Sequence, residues 1–272
     1  MSAYMTIFKN NPKASFYNTI YVDAFAGTGY RNPDKSDKES LPLFNDNDAI
    51  SIQKGSAQIA LESVPHFNEY IFIEQSQEYA AELEKLRLNY RQIYDNIKIV
   101  QKDANSYLQS WCKSNDWSFN RAVVFLDPYG MSVDWKTIEI IAQTRAIDLW
   151  LLFPLGQAVN RLLTKNNPPK GAWADRLNRF FGTDDWKEAF YRKNKQISLF
   201  EKIDQSLVKE ADFDSIGKYF INRLKTIFIK VAEHPLALRN SKNVPIFLLC
   251  FAASNPKGAP TAVKIAQHIL GK

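Results

Sequence analysis

Short apolar runs that alternate with helical patterns are the feature that most limits what this chain can fold into. The runs combine β-branched, aromatic and aliphatic residues, as strands buried on both faces do. They are residues 17–23, 69–74, 97–100, 121–126 and 147–153. The helical patterns lie at residues 56–63, 77–94, 104–112, 137–144, 173–181, 185–192 and 213–227. Alternating strands and helices predict a doubly wound α/β fold around a parallel sheet.

The C-terminal part of the chain breaks the parallel pattern. Two extended segments, residues 229–238 and 244–253, are separated by the polar turn 239–243. This spacing predicts an antiparallel hairpin at one end of the sheet. A dinucleotide-binding Rossmann domain, by contrast, usually keeps its last strand parallel.

A basic and aromatic segment interrupts the α/β pattern. Residues 161–195 contain nine Lys or Arg against four Asp or Glu, which accounts for most of the chain's net charge of +6. Residues 157–212 are therefore interpreted as a helical insertion or subdomain, and residues 1–156 and 213–272 as the α/β domain. Aromatic residues interleave with the charges, so the insertion either binds polyanions or is an amphipathic helical pair with a solvated basic face.

The strongest local motif is the turn after the first strand, Asp23-Ala24-Phe25-Ala26-Gly27-Thr28-Gly29. Its glycines permit a tight turn and close approach of a ligand to the backbone. A NAD-binding fingerprint would need glycine at position 32, which is Asn32, and no phosphate-binding Gly-Lys-Ser or Gly-Lys-Thr follows. An ordinary strand-to-loop turn remains the alternative.

Acidic residues end the next strands in order. Glu74, followed by Gln75, closes the second strand, and Asp103, followed by Ala104, closes the third. A carboxylate at the second position can accept hydrogen bonds from two ribose hydroxyls, and one at the third can accept from an adenine amine. The alternatives are a solvated acid at Glu74 and a helix N-cap at Asp103.

Asp127-Pro128-Tyr129-Gly130 ends the fourth strand. Asp127 and the Pro128 carbonyl could orient an amino group for in-line attack, and Tyr129 could stack on a base. A simple Asp-Pro turn is the alternative.

Other classes of site have little support. Cys112 and Cys250 lack the spacing of a zinc site and are expected to be buried thiols, and no metal site is expected. The apolar stretches are shorter than the roughly 20 residues of a membrane helix, and residues 1–13 lack a signal-peptide pattern. We therefore expect a cytoplasmic protein.

The chain resembles the three-Cys-motif partner (TcmP) family. The resemblance rests on the turn at residues 21–29, the helix start Gly55-Ser56 with Ser56 as N-cap, and the segments 72–74 and 126–131. The resemblance implies a Rossmann-like class I methyltransferase sheet with the C-terminal hairpin, and S-adenosylmethionine as cofactor, leaving S-adenosylhomocysteine as product. It also implies a partner protein that carries a three-Cys motif. The last segment is also similar to the Asp-Pro-Phe-Gly of tRNA guanine-N2 dimethyltransferases.

These observations predict a methyltransferase acting on an exocyclic amine of RNA or DNA. Asp127, Pro128 and Tyr129 would be catalytic, and the residues predicted to bind cofactor are Asp23, Phe25, Ala26, Gly27, Thr28, Gly29, Glu74, Gln75, Asp103, Ala104 and Asp127. Two alternatives remain: a non-catalytic partner that keeps the fold, and a small-molecule or protein methyltransferase. The short stretch before the first strand leaves little room for a helix over the site.

Overall fold

The computed structural model describes residues 2–12, 14–31, 53–193 and 207–271. Most of the predicted loop at residues 30–54 therefore lies outside the described residues, as does part of the predicted insertion, residues 194–206.

Twelve strands lie in the described part of the chain, and the predicted runs account for the long ones. They are β1 (Asn18–Asp23), β2 (Tyr30–Arg31), β3 (Gln53–Lys54), β4 (Glu69–Glu74), β5 (Ile97–Gln101), β6 (Asn120–Leu126), β7 (Ile147–Phe153), β8 (Tyr191–Lys193), β9 (Leu207–Lys209), β10 (Lys230–Val231), β11 (Leu236–Arg239) and β12 (Pro245–Ala253).

Ten helices lie in the described part of the chain, of which seven match predicted patterns and three, at residues 2–10, 160–162 and 259–270, were not predicted. They are α1 (Ser2–Asn10), α2 (Ser56–Glu62), α3 (Gln77–Leu88), α4 (Ala104–Ser114), α5 (Trp135–Gln143), α6 (Asn160–Leu162), α7 (Ala172–Phe181), α8 (Trp186–Phe190), α9 (Phe213–Lys225) and α10 (Ala259–Leu270). A 3-10 helix at Arg91–Asn96 and a π-helical turn at Leu155–Val159 add to these. None of the described helices is long and apolar enough to cross a membrane.

One mixed sheet organises the fold. Its strands lie in the order β5, β4, β1, β6, β7 and β12, with β10 and β11 both pairing with β12 at the far edge. The first five strands are parallel, whereas β12 runs antiparallel to β7. The predicted parallel sheet with a C-terminal antiparallel hairpin is confirmed. The first segment of that hairpin is split into β10 and β11.

Side chains of the central strands alternate between two apolar layers. In β1, Ile20 and Val22 belong to a layer that α4, α5, α7 and α9 cover, whereas Tyr21 belongs to a second layer with residues of α1, α2 and α3. The C-terminal helix α10 packs through a third cluster that includes Phe251 and is linked to the second layer by Trp150. Successive strand residues point to opposite faces, so this alternation is the doubly wound arrangement that the sequence predicted.

The N-terminus departs from the prediction. The residues before β1 do form a helix, α1, although the sequence indicated little room for one. Met5 is fully buried in the layer that also contains Ala26 and Ala57, and Lys9 donates to the carbonyl of His66 (2.6 Å). The buried Met5 side chain anchors this nine-residue helix.

The insertion is held by the same apolar layer as the sheet. Five of its aromatic side chains are buried there, namely Phe180, Phe181, Trp186, Phe190 and Tyr191. Phe180 stacks on Phe153 of β7 at 5.7 Å between ring centroids. These aromatic residues are therefore packing residues. The insertion also contains strands, since β8 follows α8 directly and pairs with β9. The division into domains remains a prediction.

Gly182, at the end of α7, tests how tightly the insertion packs against α5. A Cβ atom there would lie 2.0 Å from Trp135 Cδ1, and the residue has a left-handed φ of +70°. We expect Gly182→Ala to lower the free energy of unfolding by roughly 3 kcal/mol, from steric overlap and backbone strain together. Chemical denaturation measures this value.

Gly27→Ala is the matched control for that experiment. Gly27 has a similar φ of +58°, but a Cβ atom there meets nothing within 4 Å. Its cost should be about 1 kcal/mol, from backbone strain alone. Equal losses in the two variants would contradict tight packing of α7 on α5.

Candidate functional site

The turn after β1, residues 24–29, is tied to both neighbouring strands. The Ala24 N–H donates to the carbonyl of Phe125 in β6 (3.1 Å). The Ala26 N–H donates to the carbonyl of Ile73 in β4 (3.1 Å). Because parallel strands end at one edge of the sheet, these bonds fix the turn at the carboxyl edge, where ligands bind in open α/β sheets.

The two glycines of the turn have different surroundings. Space around Gly27 is open on the side where a Cβ atom would lie. A Cβ atom on Gly29 would lie 2.7 Å from Leu86 Cδ2 and 3.3 Å from Leu83 Cδ2, both in α3. Gly29 therefore lets the turn pack on α3, while Gly27 leaves room for a ligand beside the backbone. Cofactor contact by Gly29 remains a prediction.

The other predicted residues of the turn differ in burial. Ala26 is buried against the second apolar layer, whereas Phe25 and Thr28 are half-buried at the carboxyl edge. Ala26 thus supports the turn through packing, and Phe25 and Thr28 are the members with accessible side chains.

Asp23 is the most unusual ionisable group at this edge. Its side chain is fully buried at the end of β1. Oδ1 accepts a hydrogen bond from the Phe25 N–H (3.3 Å), but Oδ2 has no partner of hydrogen-bonding geometry within the described chain. A buried carboxyl oxygen without a partner is costly, so an unsatisfied Oδ2 calls for an explanation.

The surroundings of Asp23 raise its pKa. Burial is the main cause and brings the pKa to about 7, and the nearby carboxylates of Asp127 and Glu74 add to the rise. The Ser56 hydroxyl and the Phe25 N–H oppose it. Three carboxyl groups from the ends of β1, β4 and β6 therefore converge on one place.

Ser56 is not the helix cap that the sequence predicted. Gly55 occupies the N-cap position of α2, and Ser56 is the first helical residue. Its side chain instead lies near the Asp23 carboxyl group and helps to stabilise the ionised form. This contact joins two segments far apart in sequence, so no local pattern could have revealed it.

Glu74 closes the site on the β4 side. Its Oε2 accepts from the Gly27 N–H (3.1 Å) and its Oε1 accepts from the Ser76 N–H (2.8 Å). These bonds fix the carboxylate against the glycine turn while each oxygen keeps a second lone pair for a ligand donor. Gln75, the next residue, is exposed.

Asp103 has the capping role that was the alternative interpretation. Its Oδ1 accepts from both the N–H and the hydroxyl of Ser106, 2.8 Å each, at the start of α4. Ala104, the first residue of α4, is buried, so its side chain packs into the core. Capping does not use all the lone pairs of a carboxylate, and a ligand role for Asp103 remains a prediction.

The segment after β6 presents one residue to solvent. Asp127 is half-buried and Pro128 is buried, whereas the Tyr129 side chain is 81% exposed. Gly130 follows with φ +60° and turns the chain towards α5. An exposed aromatic ring next to a half-buried carboxylate can stack on a planar molecule whose polar edge reaches Asp127.

Helix α7 of the insertion lies against this segment. The guanidinium group of Arg176 is 3.3 Å from where a Cβ atom of Gly130 would lie, and Arg179 approaches Asp134 at 3.8 Å. The basic character of the insertion is visible in the sequence, but this contact is not, because nothing local links residues 127–134 with 172–181.

The site therefore combines two kinds of chemistry. Asp23, Gly27 and Glu74 form an acidic cluster beside open backbone at the carboxyl edge, which suits a ligand carrying an amino group and hydroxyls. Asp127, Pro128 and Tyr129 lie beside it and suit a flat, polar second molecule.

Sequence comparison gives no relatives: no family model matches the chain, and no curated protein matches it. Among solved structures, a Legionella pneumophila protein described by the family model DUF519 is similar, with a TM-score of 0.50 at 13% identity. The match covers 98% of this chain and 86% of that one. The likeness therefore extends through the whole fold.

Methyltransferases also occur among the structural matches. An S-adenosylmethionine-dependent methyltransferase from Clostridium acetobutylicum matches with a TM-score of 0.38 at 10% identity, covering 93% of this chain and 90% of that one. The magnesium protoporphyrin IX methyltransferase of Synechocystis, solved with bound S-adenosylmethionine, gives 0.30 at 10% identity, with 76% and 74% covered.

At these identities the likeness concerns the fold. The strand order, the antiparallel β12 and helices on both faces match the predicted Rossmann-like class I methyltransferase fold, which is confirmed. Membership of the three-Cys-motif partner family remains a prediction.

The raised pKa of Asp23 makes stability depend on pH. The folded state favours the neutral carboxyl group, so its contribution is fully present below about pH 4 and is lost as the pH rises through about 7. We expect Asp23→Asn, which keeps the shape and removes the titration, to become more stable relative to the parent protein by roughly 3 to 4 kcal/mol between pH 4 and 8. Urea denaturation across this range measures the difference, and parallel curves for the two proteins would contradict it.

Proposed function

We propose that the chain is an S-adenosylmethionine-dependent methyltransferase that methylates an exocyclic amine of a nucleic-acid base. The observation that carries the proposal is the unpartnered Oδ2 of buried Asp23 at the carboxyl edge of a class I methyltransferase fold. This oxygen has no exposed surface, so a ligand's amino group would reach it by displacing the groups that cover it, and the new bond would offset the cost of burying the oxygen.

The residues present fit the amino-acid and ribose parts of the cofactor. Asp23 would accept from its ammonium group, and the open side of Gly27 would let it approach the backbone. Glu74, held by two backbone N–H groups, would accept from the ribose hydroxyls with its remaining lone pairs. Asp103 would accept from the adenine amine.

Bound S-adenosylmethionine supplies an already reactive methyl group, so the chain's task is mainly alignment. Correct orientation can lower a barrier by as much as about 7 to 11 kcal/mol. Asp127 and the carbonyl of Pro128 would each accept an N–H of the target amine and direct its lone pair at the methyl group. A strong general base is not required, because the methylated amine can lose its proton afterwards.

The target is assigned from Tyr129 and the surrounding charge. A ring that is 81% exposed beside Asp127 suits stacking on a base, a contact that contributes about 1 to 3 kcal/mol. The basic α7 adjoins the same segment. A partner with a three-Cys motif is part of the proposal as a protein that acts together with the chain.

Cofactor binding gives the first test. Calorimetry should detect S-adenosylhomocysteine binding whose affinity rises about tenfold from about pH 6 to 8, because the ligand's ammonium group pairs with ionised Asp23, whose pKa is about 7. Asp23→Asn should bind more weakly at pH 8 and lose this pH dependence. No binding at millimolar ligand by a folded sample would contradict the proposal.

Asp127→Ala separates catalysis from cofactor binding. Loss of the acceptor for the target amine should lower methyl transfer by at least about 100-fold, since small misplacements of reactants have effects of this size. Asp127 also adds to the raised pKa of Asp23, so affinity for S-adenosylhomocysteine is compared at pH 8, where Asp23 is mostly ionised in both proteins, and should change little there. Transfer is measured with labelled S-adenosylmethionine and RNA or DNA.

The results of that assay distinguish the alternatives. Cofactor binding without transfer by the parent protein would favour a non-catalytic partner. Transfer to proteins or small molecules, but not to nucleic acid, would overturn the assigned substrate class.

A further inference from the structure

Helix α7 and the segment after β6 run side by side in the same direction. Arg176 lies beside Gly130, Arg179 beside Asp134, and Gly182 beside Trp135. Residue numbers therefore increase together along α7 and along residues 130–135. The N-terminal end of α7 therefore points towards the Pro128 and Tyr129 end of the site.

Trp173 lies at that end of the helix. It is three residues before Arg176, a rise of about 4.5 Å along the axis towards that end. Its side chain is 50% exposed, unlike the buried aromatic residues that follow in the insertion. Trp173 at the start of α7 and Tyr129 at the start of the facing segment are thus both exposed aromatic side chains.

The charge of this surface is cationic. Arg176 is exposed and lies beside Gly130, and Lys170 is exposed just before α7. Asp175 is also exposed, but it is one position before Arg176 and so lies about 100° round the helix. The side of α7 that carries Arg176 therefore presents a guanidinium group and an indole ring.

We propose that Trp173 and Arg176 bind the nucleic-acid strand next to the target base, Trp173 by stacking on a neighbouring base and Arg176 by contacting the phosphate between them. This inference rests on the proposed function, since it takes a base at Tyr129 as the acceptor. Exposed aromatic rings interleaved with cations are the chemistry that single strands recognise. The surface is thus the specificity element that distinguishes a base within a strand from a free base.

The test is fluorescence anisotropy with labelled single strands of RNA and DNA of about 20 nucleotides. We expect Trp173→Ala and Arg176→Gln each to raise the dissociation constant about tenfold. Arg176→Gln should also reduce the slope of log affinity against log salt by about 0.7, because one phosphate contact is lost. Affinity for S-adenosylhomocysteine should stay unchanged in both variants.

Matched controls come from the opposite edge of the sheet. Phe119, 65% exposed just before β6, and Arg91, exposed just before β5, both lie at the amino ends of strands. Phe119→Ala and Arg91→Gln should bind the strands as the parent protein does. All four side chains are exposed, so each variant should fold, which thermal melting confirms.

The outcomes separate this inference from the proposed function. Equal effects of the α7 variants and the controls, or no strand binding by a parent protein that binds S-adenosylhomocysteine, would overturn the α7 surface and leave the cofactor site standing. Salt-dependent strand binding that only the α7 variants weaken would support the surface. If the parent protein bound strands in this way but did not bind S-adenosylhomocysteine, the cofactor assignment would be wrong and the α7 surface would still be supported.

Discussion

The burial of the Asp23 carboxyl group at the end of the central strand is the constraint on which the site depends. Backbone hydrogen bonds of Ala24 and Ala26 join the turn after this strand to the strands on either side, and Gly29 lets the turn pack closely on α3. These contacts hold the turn over Asp23, which is fully buried. One oxygen is left without a partner and its pKa rises to about 7. The turn thus covers an acceptor whose hydrogen bond a ligand could complete by displacing the groups above it.

The sheet could be predicted from the sequence because its rules are local and periodic. Residues 69–74 and 147–153 form strands with the predicted bounds, since continuous apolar runs suit strands covered on both faces. The acids at strand ends were found in the same way, because parallel strands place their carboxyl ends at one edge. Glu74 and Asp127 duly contribute to the electrostatic environment of Asp23.

What could not be predicted depends on contacts between distant segments. Ser56 matches a helix-cap pattern, yet it lies near Asp23. From the sequence, each aromatic residue of the insertion could either stack on a ligand or pack in the core. Only the three-dimensional fold shows that Phe180 is buried and Trp173 exposed. The short N-terminal segment also forms a helix, because Met5 packs into an apolar core formed mainly by residues of other elements.

A crystal structure with S-adenosylhomocysteine tests the central claim most directly. The account predicts that the ligand's amino group lies about 3 Å from Asp23 Oδ2 and that the ribose hydroxyls donate to Glu74. The ligand should also fill the open space beside Gly27. A ligand bound elsewhere, or an Asp23 Oδ2 that bonds only to protein groups in the complex, would contradict it.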